Sequence, residues 1–265
     1  MDHAIYTAMG AASQTLEQQS ITANNMANAS TPGFRAQLAA LRAVPVEGDS
    51  IETRTLVAAS TPMHDMSMGK LDYTERPLDV ALQQDGWLAV RNADGTEAYT
   101  RNGNLQINTA GQLTSQGNLV IGDNGPIAIP DRAEVTIAAD GTITALGAGD
   151  QPNTTTQVGR LKLVKATAQE VQHGDDGLFH LTAEAQQQRG ATLTLDPEVR
   201  LMPGVLEGSN VKPVDTMVDM IANARRFEMQ MKVIRSVDDN EQKANQLLSD
   251  RKSTRLNSSH SARSR

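Results

Sequence analysis

The first 34 residues, Met1 to Phe34, have the sequence MDHAIYTAMGAASQTLEQQSITANNMANASTPGF. Mostly apolar or small side chains recur there at alternating spacings of four and three, which is the spacing of a coiled-coil seam. They are Ile5, Met9, Ala12, Leu16, Gln19, Ala23 and Met26. The cluster Ser30–Gly33 ends the pattern, because its proline biases the preceding residue away from helical angles. The stretch predicts an N-terminal helix that ends near Ala29.

A second, longer helix is predicted at the other end of the chain, from about Pro213 to Leu248. Pro213 suits a first helical turn, where its missing N–H would have no partner within the helix. One apolar stripe again steps by three and four, and a second lies beside it. The two stripes are Met217, Met220, Ala224, Phe227, Met231 and Ile234, and Val214, Val218, Ile221, Met229, Val233 and Val237. This broad apolar face predicts more than one packing partner.

Residues 71–206, between the two helices, have the pattern of β-structure. Three turn-forming stretches there end in glycine, at residues 92–95, 108–111 and 138–141. Glycine adopts a positive φ at little cost, so each stretch suits the tight turn of a β-hairpin. We therefore predict three hairpins.

Together these patterns predict an α+β protein, with long N- and C-terminal helices packed as a coiled-coil-like pair and a central, mostly antiparallel β domain. The predicted segments are 1–33 for the first helix and turn, 34–70 for an extended connector, 71–206 for the β domain, 207–249 for the last helix and 250–265 for a tail. The tail is rich in Ser and Arg without periodicity. We expect it to be disordered and not native to the fold; a charged tail that binds a partner is the alternative.

Composition excludes several classes of function. The formal net charge is -7, whereas nucleic-acid-binding proteins usually carry a clustered basic face, so we expect no nucleic acid partner. The chain has no cysteine, which excludes disulfides and thiolate metal sites. It has neither an apolar run of about 18 residues nor the basic and apolar regions of a cleaved secretion signal. We expect a protein that is not membrane-inserted.

The sequence contains no motif of an enzyme. The five histidines form no close zinc pattern, and no phosphate-binding loop or nucleophile elbow occurs. The carboxylate pairs Asp175-Asp176 and Asp238-Asp239 would point apart on a strand or helix. We therefore expect no catalytic, cofactor-binding or metal-binding residues, no cofactor and no small-molecule substrate. A secreted β-rich hydrolase or adhesin is the alternative from a different class.

Several motifs resemble those of the flagellar rod and hook proteins of bacteria. The residues that match the family's N-x-A-N-x-x-T-P-G-F motif are Asn25, Ala27, Asn28, Thr31, Pro32, Gly33 and Phe34. The resemblance continues through Asp85–Trp87, with Trp87 where phenylalanine is common, and through Tyr99–Gly103 and Leu206–Val211. Arg225, Phe227 and Glu228 match the family's R-x-(Y/F)-E pattern. The resemblance to the family extends over nearly all of residues 1–249.

The resemblance implies a structural subunit of the proximal rod of the flagellar basal body. Such a subunit leaves the cytoplasm through the flagellar type III export apparatus without a cleaved signal peptide. It polymerises in the periplasm with copies of itself and with other rod proteins, and its terminal helices form the inner layer of the tube. A distal rod or hook protein of the same family is the nearest alternative.

The two terminal helices are the expected assembly interface. Its predicted residues are Ile5, Met9, Ala12, Leu16, Met26, Met217, Met220, Ile221, Ala224, Phe227, Met231 and Ile234. Burying one such apolar side chain contributes about 1.5–3 kcal/mol, whereas ordering each backbone residue costs about 1–2 kcal/mol. A helix with an uncovered stripe is therefore only marginally stable. A two-helix hairpin within one monomer would bury the same stripes and remains the alternative at this stage.

Overall fold

The computed structural model describes residues 2–45, 55–59, 63–83, 85–147, 155–174 and 176–261. It has the α+β architecture predicted from the sequence, with long helices at both ends of the chain and a mostly antiparallel β region between them. The chain divides into two compact units. The first comprises Met1–Asn24, Ala39–Pro62 and Val214–Arg265, and the second comprises Asn25–Leu38 and Met63–Pro213.

Three helices and twenty strands make up the described part of the chain. The helices are α1 (Asp2–Ala27), α2 (Ala183–Arg189) and α3 (Pro213–Ser261). The strands are β1 (Gln37–Leu38), β2 (Leu41–Pro45), β3 (Thr55–Ala59), β4 (Met63–His64), β5 (Leu71–Tyr73), β6 (Val80–Leu82), β7 (Gly86–Arg91), β8 (Glu97–Thr100), β9 (Leu105–Ile107), β10 (Leu113–Ser115), β11 (Asn118–Gly122), β12 (Gly125–Pro126), β13 (Glu134–Ile137), β14 (Thr142–Leu146), β15 (Thr156–Arg160), β16 (Leu163–Lys165), β17 (Val171–His173), β18 (Phe179–Leu181), β19 (Leu201–Pro203) and β20 (Val205–Glu207).

The largest sheet has nine strands, in the order β17-β18-β8-β7-β11-β10-β9, with β12 beside β11 and β16 beside β7. A three-stranded sheet has the order β13-β14-β15. Four two-stranded sheets pair β1 with β4, β2 with β3, β5 with β20, and β6 with β19. Strand β20 is the last strand before α3, and its pairing with β5 holds the chain within the second unit as far as Glu207.

The three predicted hairpins are confirmed. The turns at residues 92–95, 108–111 and 138–141 join β7 to β8, β9 to β10 and β13 to β14. Their glycines, Gly95, Gly111 and Gly141, have φ angles of +82°, +74° and +84°. Such angles are strained for residues with a Cβ atom, which is why each turn ends in glycine.

Strand β7 is central to the hydrophobic core. Its residues from Gly86 to Val90 are all buried. Trp87 and Ala89 contribute to one hydrophobic cluster, and Leu88 and Val90 contribute to the other. A strand that is covered on both faces has a continuous apolar run instead of an alternating one, and the sequence Trp-Leu-Ala-Val has that character.

Two segments differ from their predicted structure. Residues 34–70, predicted to be an extended connector, contain paired strands, since β2 pairs with β3 and β1 pairs with β4. Residues 250–261, which were predicted as part of a disordered tail, lie in α3, because this helix continues to Ser261. No glycine or proline follows Pro213 within α3, and lengthening an existing helix needs no new nucleation. Residues 262–265 of the predicted tail lie outside the described residues.

Candidate assembly site

In the first unit, small and polar side chains form the most buried positions of α1 and α3. They are Ala8, Ala12 and Thr15 on α1 and Thr216 and Asn223 on α3. The Asn223 Nδ2 atom donates a hydrogen bond of 3.4 Å to the Thr22 hydroxyl, which links the two helices. Small side chains at a helix contact allow a close approach, but they bury little apolar area.

Many large apolar side chains of the same helices remain exposed. Met9 and Leu16 on α1 are each 54% exposed, and on α3 Met217 is 50% and Ile221 is 55% exposed. Of the other predicted interface residues, Ala12 is buried and Ala224 is exposed, while Ile5, Met26, Met220, Phe227, Met231 and Ile234 are half-buried. Within one copy of the chain, the predicted stripes are therefore only partly covered.

The family motif, Asn25 to Phe34, comprises the end of α1 and the compact loop that follows it, and it lies in the second unit. The Asn25 Nδ2 atom donates to the carbonyl of Gln37, and the Asn25 Oδ1 atom accepts from its N–H, both at 2.8 Å. The Thr31 hydroxyl donates to Asn28 Oδ1 at 3.2 Å. Ala27 is exposed and Pro32 is half-buried. The Asn25 amide thus acts like a paired strand residue that closes the loop.

Gly33 allows this loop to contact the β region closely. It has a φ of +71°, and its N–H donates a 2.8 Å hydrogen bond to the carbonyl of Glu207. A Cβ atom at this position would lie 2.4 Å from the carbonyl carbon of Arg101. Both the backbone angle and the space therefore require glycine.

A buried ionic cluster, which we call the Arg35–Glu207–Arg101 triad, joins three distant segments. All three residues are at most 2% exposed. Arg35 Nη1 lies 2.6 Å from Glu207 Oε1, and Arg101 donates from Nε and Nη2 to Glu207 Oε2 at 3.0 and 2.8 Å. Burial lowers the pKa of the Arg101 guanidinium, and the nearby Glu207 carboxylate opposes that shift. The triad connects the segment after α1 to the segment that leads into α3.

Backbone groups also form hydrogen bonds with Arg101 and Glu207 of the triad. Arg101 Nη1 and Nη2 donate to the carbonyls of Gly86 and Leu82 at 2.7 and 2.9 Å. Glu207 Oε1 accepts from the N–H of Gly69 at 3.0 Å. These hydrogen bonds offset part of the cost of burying the charges of Arg101 and Glu207.

Asn210 forms a second link at the same place. Its Oδ1 atom accepts from the N–H of Ala36 at 2.7 Å, and its Nδ2 atom donates to the carbonyls of Asp65 and Ser67 at 2.7 and 3.1 Å. The segment that leaves α1, the segment before β5 and the segment before α3 are therefore held together by one side chain.

Phe34, the last residue of the motif, is half-buried and lies against a cluster of aromatic rings. Its ring centroid is 6.4 Å from that of His173, which stacks on His64 at 5.2 Å. Phe179 contacts both imidazoles edge-on, with centroids 5.4 and 5.0 Å away. Burial and the neighbouring His173 lower the pKa of His64 to about 4. Neutral imidazoles suit this packing better than charged ones.

Comparisons with known proteins identify the family. The family model described as "Flagella basal body rod protein" matches residues 5–35, "Flagellar hook protein FlgE/F/G D1 domain" matches residues 81–145, and "Flagellar basal body rod FlgEFG protein C-terminal" matches residues 202–247. The chain is 73% identical over 249 residues to the flagellar basal-body rod protein FlgF of Salmonella typhimurium, covering 94% of this chain and 99% of that protein. The chain belongs to the FlgF family of flagellar basal-body rod proteins.

Other relatives agree with this assignment. The rod protein FlgF of Escherichia coli K12 is 72% identical over 94% of this chain and 99% of its own length. The rod protein FlgG of Caulobacter vibrioides is 29% identical over 91% of this chain and 97% of its own length. The much higher identity to FlgF disfavours the distal rod and hook alternatives. A structural rod protein is not an enzyme, so the hydrolase and adhesin alternatives are not favoured either.

Three further observations concern the described residues of the rod protein. Among the described residues, no group of three or more His, Asp or Glu side chains could hold a metal ion. The helices that the structure describes include none with the length and apolar character needed to cross a bilayer. Arg225 and Glu228, which match the family pattern in α3, are both exposed.

The residues that link the segment after α1 to the segment before α3 were not predicted as a site. Arg101, Glu207 and Asn210 lie within the motifs that resemble the family, but their contacts join positions far apart in sequence. Arg101 and Glu207 are 106 residues apart, and Ala36 and Asn210 are 174 residues apart. A local signal does exist, since Arg101 and Glu207 each lie at the end of a short strand with apolar members.

The lowered pKa of His64 predicts an acid-sensitive second unit. The pKa of His64 falls from 6.5 to about 4 on folding. Because the unfolded chain then binds the proton more readily, the folded unit loses stability as the pH falls from 6.5 towards 4 and keeps it above pH 6.5. The shift corresponds to about 3 kcal/mol, which half-exposure to solvent reduces to about 1–2 kcal/mol. Urea unfolding at pH 7 and pH 4.5 should show a smaller pH dependence for His64→Gln than for the unsubstituted protein. Equal pH dependence in both would contradict this role of His64.

Proposed function

We propose that this rod protein polymerises through the apolar stripes of α1 and α3, with copies of itself and with other rod proteins, to build the proximal rod of the flagellar basal body. The exposure of Met9, Leu16, Met217 and Ile221 in one copy carries this proposal. Within each subunit, α1 and α3 form a coiled-coil-like pair through their small and polar faces. The apolar faces are then free for neighbouring subunits.

The dimensions of the helices support an assembly role. At 1.5 Å per residue, the 26 residues of α1 extend about 39 Å, and the 49 residues of α3 extend about 74 Å. Helices of this length offer more apolar surface than one partner helix can cover. Each half-exposed Met, Leu or Ile side chain that a neighbour covers contributes about 1 kcal/mol, since full burial contributes about 1.5–3 kcal/mol.

The chain ends are suited to a subunit that carries mechanical load. The Arg35–Glu207–Arg101 triad and Asn210 fix the segments next to α1 and α3 within the second unit. Within the second unit, these contacts tie the segment after α1 and the segment before α3 to the β region at several points. A rod that transmits torque benefits from such an attachment.

The route to the rod is part of the same proposal. The subunit would leave the cytoplasm through the flagellar type III export apparatus without a cleaved signal peptide, and it would assemble in the periplasm. The resemblance to exported axial proteins supports this route.

A charged residue on an exposed apolar stripe should prevent assembly without affecting the folding of the subunit. We expect Leu16→Glu and Ile221→Glu to abolish rod assembly and swimming, because a desolvated carboxylate in an apolar interface is costly. The free energy of unfolding of the purified subunit should change by no more than about 0.5 kcal/mol, as for most surface substitutions. Swimming on soft agar and urea unfolding are the two measurements.

Two positions on the same helices provide matched controls. Ser13 on α1 and Ser236 on α3 are exposed and lie outside the predicted stripes. Ser13→Glu and Ser236→Glu should fold and swim normally. Normal swimming of the Leu16→Glu and Ile221→Glu strains would contradict the proposed interface. A large loss of subunit stability in these two variants would favour the hairpin within one monomer.

A further inference from the structure

A small cavity lies beside the Arg35–Glu207–Arg101 triad in the second unit. Its volume is about 140 Å³, and its lining includes Arg35, Arg101, Asp85, Trp87, Met66 and Thr167. The Arg101 guanidinium carbon lies 5.8 Å from the centroid of the Trp87 ring. The cavity therefore combines buried positive charge with an aromatic and aliphatic wall.

The charges of the triad do not balance. Two guanidinium groups share one carboxylate, which leaves a formal charge of +1 on three residues that are at most 2% exposed. Glu207 Oε2 already accepts from Arg101, and Oε1 accepts from Gly69 and forms the ion pair with Arg35 Nη1. The buried Nε atom of Arg35 has no hydrogen-bond partner among the described residues. A buried donor on a charged group is costly to leave unpaired, so the site favours another anionic acceptor.

We propose that this cavity binds a carboxylate group, which accepts hydrogen bonds from the Arg35 guanidinium while its carbon chain packs against Trp87 and Met66. The planar fork of a guanidinium matches the two oxygens of a carboxylate. The apolar wall favours an anion that carries a short carbon chain over an inorganic ion. The source is either an Asp or Glu side chain of a neighbouring rod subunit or a small free carboxylic acid.

Asp85 opposes the binding of an anion. It is exposed and it lines the cavity, and its negative charge offsets a small part of the lowering of the Arg101 pKa by burial. An incoming carboxylate would be repelled by it. Removing this charge in Asp85→Asn should therefore strengthen carboxylate binding, whereas loss of the Arg35 fork in Arg35→Lys should weaken it.

Trp87 provides a direct readout, because it is the one tryptophan in the chain and it lines the cavity. Sodium acetate, titrated at constant ionic strength against sodium chloride, should change its fluorescence in a saturable way. We expect Asp85→Asn to bind acetate severalfold more tightly, and Arg35→Lys to bind it about tenfold more weakly, as the loss of one charged hydrogen bond predicts. Circular dichroism should verify that both variants fold.

Two results would overturn the proposal. One is a fluorescence response to acetate that is absent or equal in all three proteins. The other is a lower unfolding midpoint of Asp85→Asn together with no acetate response, which would show that the Asp85 carboxylate itself occupies the cavity. Neither result depends on rod assembly, so failure here is distinguishable from failure of the proposed function.

Rod assembly in cells that carry Arg35→Lys distinguishes the two sources of the carboxylate. Only the source in a neighbouring subunit depends on the proposed function. If the Arg35→Lys subunit keeps the unfolding midpoint of the unsubstituted protein, binds acetate weakly and fails to assemble into rods, an acidic side chain of a neighbouring subunit is the occupant. If rods of Arg35→Lys assemble normally while acetate binding is weakened, the occupant is a free acid. Both outcomes require a carboxylate site at Arg35.

Discussion

Glu207→Gln should lower the free energy of unfolding of the second unit by about 3–5 kcal/mol. The substitution keeps the shape of the side chain but removes the carboxylate that Arg35 and Arg101 share. Breaking a buried ion pair from one side has a cost of this size, because the remaining charges stay buried without a counter-charge. Urea unfolding followed by Trp87 fluorescence would measure the change, and we expect the strain to lose swimming.

An exposed ion pair provides the control for this prediction. Lys70 and Asp72 lie 2.8 Å apart, but their side chains are 83% and 57% exposed. Exposed pairs contribute little to stability, so Asp72→Asn should leave the unfolding curve unchanged. If Glu207→Gln behaved like Asp72→Asn, the triad would have no role in holding the chain ends.

Gly33→Ala is expected to have the second-largest effect. The φ of +71° alone costs a residue with a Cβ atom about 1–3 kcal/mol, and the added methyl group would also overlap the backbone of Arg101. The loop after α1 would have to move away from the β region, which would break the hydrogen bond to Glu207. Thermal unfolding and swimming are the measurements.

Gly10 in α1 is the matched control, because a Cβ atom there would meet nothing within 4 Å. Alanine is the better helix former, so Gly10→Ala should stabilise the subunit by about 1 kcal/mol. We therefore expect Gly33→Ala to lower the free energy of unfolding and Gly10→Ala to raise it. A neutral Gly33→Ala would mean that the loop accommodates a side chain, contrary to the structure.

Local patterns explain which parts of the fold could be predicted from the sequence. The hairpin turns ending at Gly95, Gly111 and Gly141 depend on a few adjacent residues, and the long helices depend on a periodicity repeated over many residues. The continuation of α3 through residues 250–261 was missed because the tail has no apolar period. A helix that has already formed can extend without one.

The candidate site was harder to predict, because it depends on contacts between distant residues. Nothing near Arg35 in the sequence indicates that it pairs with Glu207, and neither residue belongs to an apolar stripe. The face of α1 that is buried was also not evident. Ala8 and Thr15 are buried while Leu16 is exposed, because a close helix contact selects small side chains and the period alone does not distinguish the two faces.

Cysteine labelling tests most directly whether neighbouring subunits cover the apolar stripes. The chain has no cysteine, so Met9→Cys and Ile221→Cys each introduce a single thiol. In the free subunit both thiols should react readily with a maleimide, because Met9 and Ile221 are each more than half exposed. In isolated basal bodies both should be protected. Equal labelling in the free subunit and in the basal body would contradict assembly through these helices.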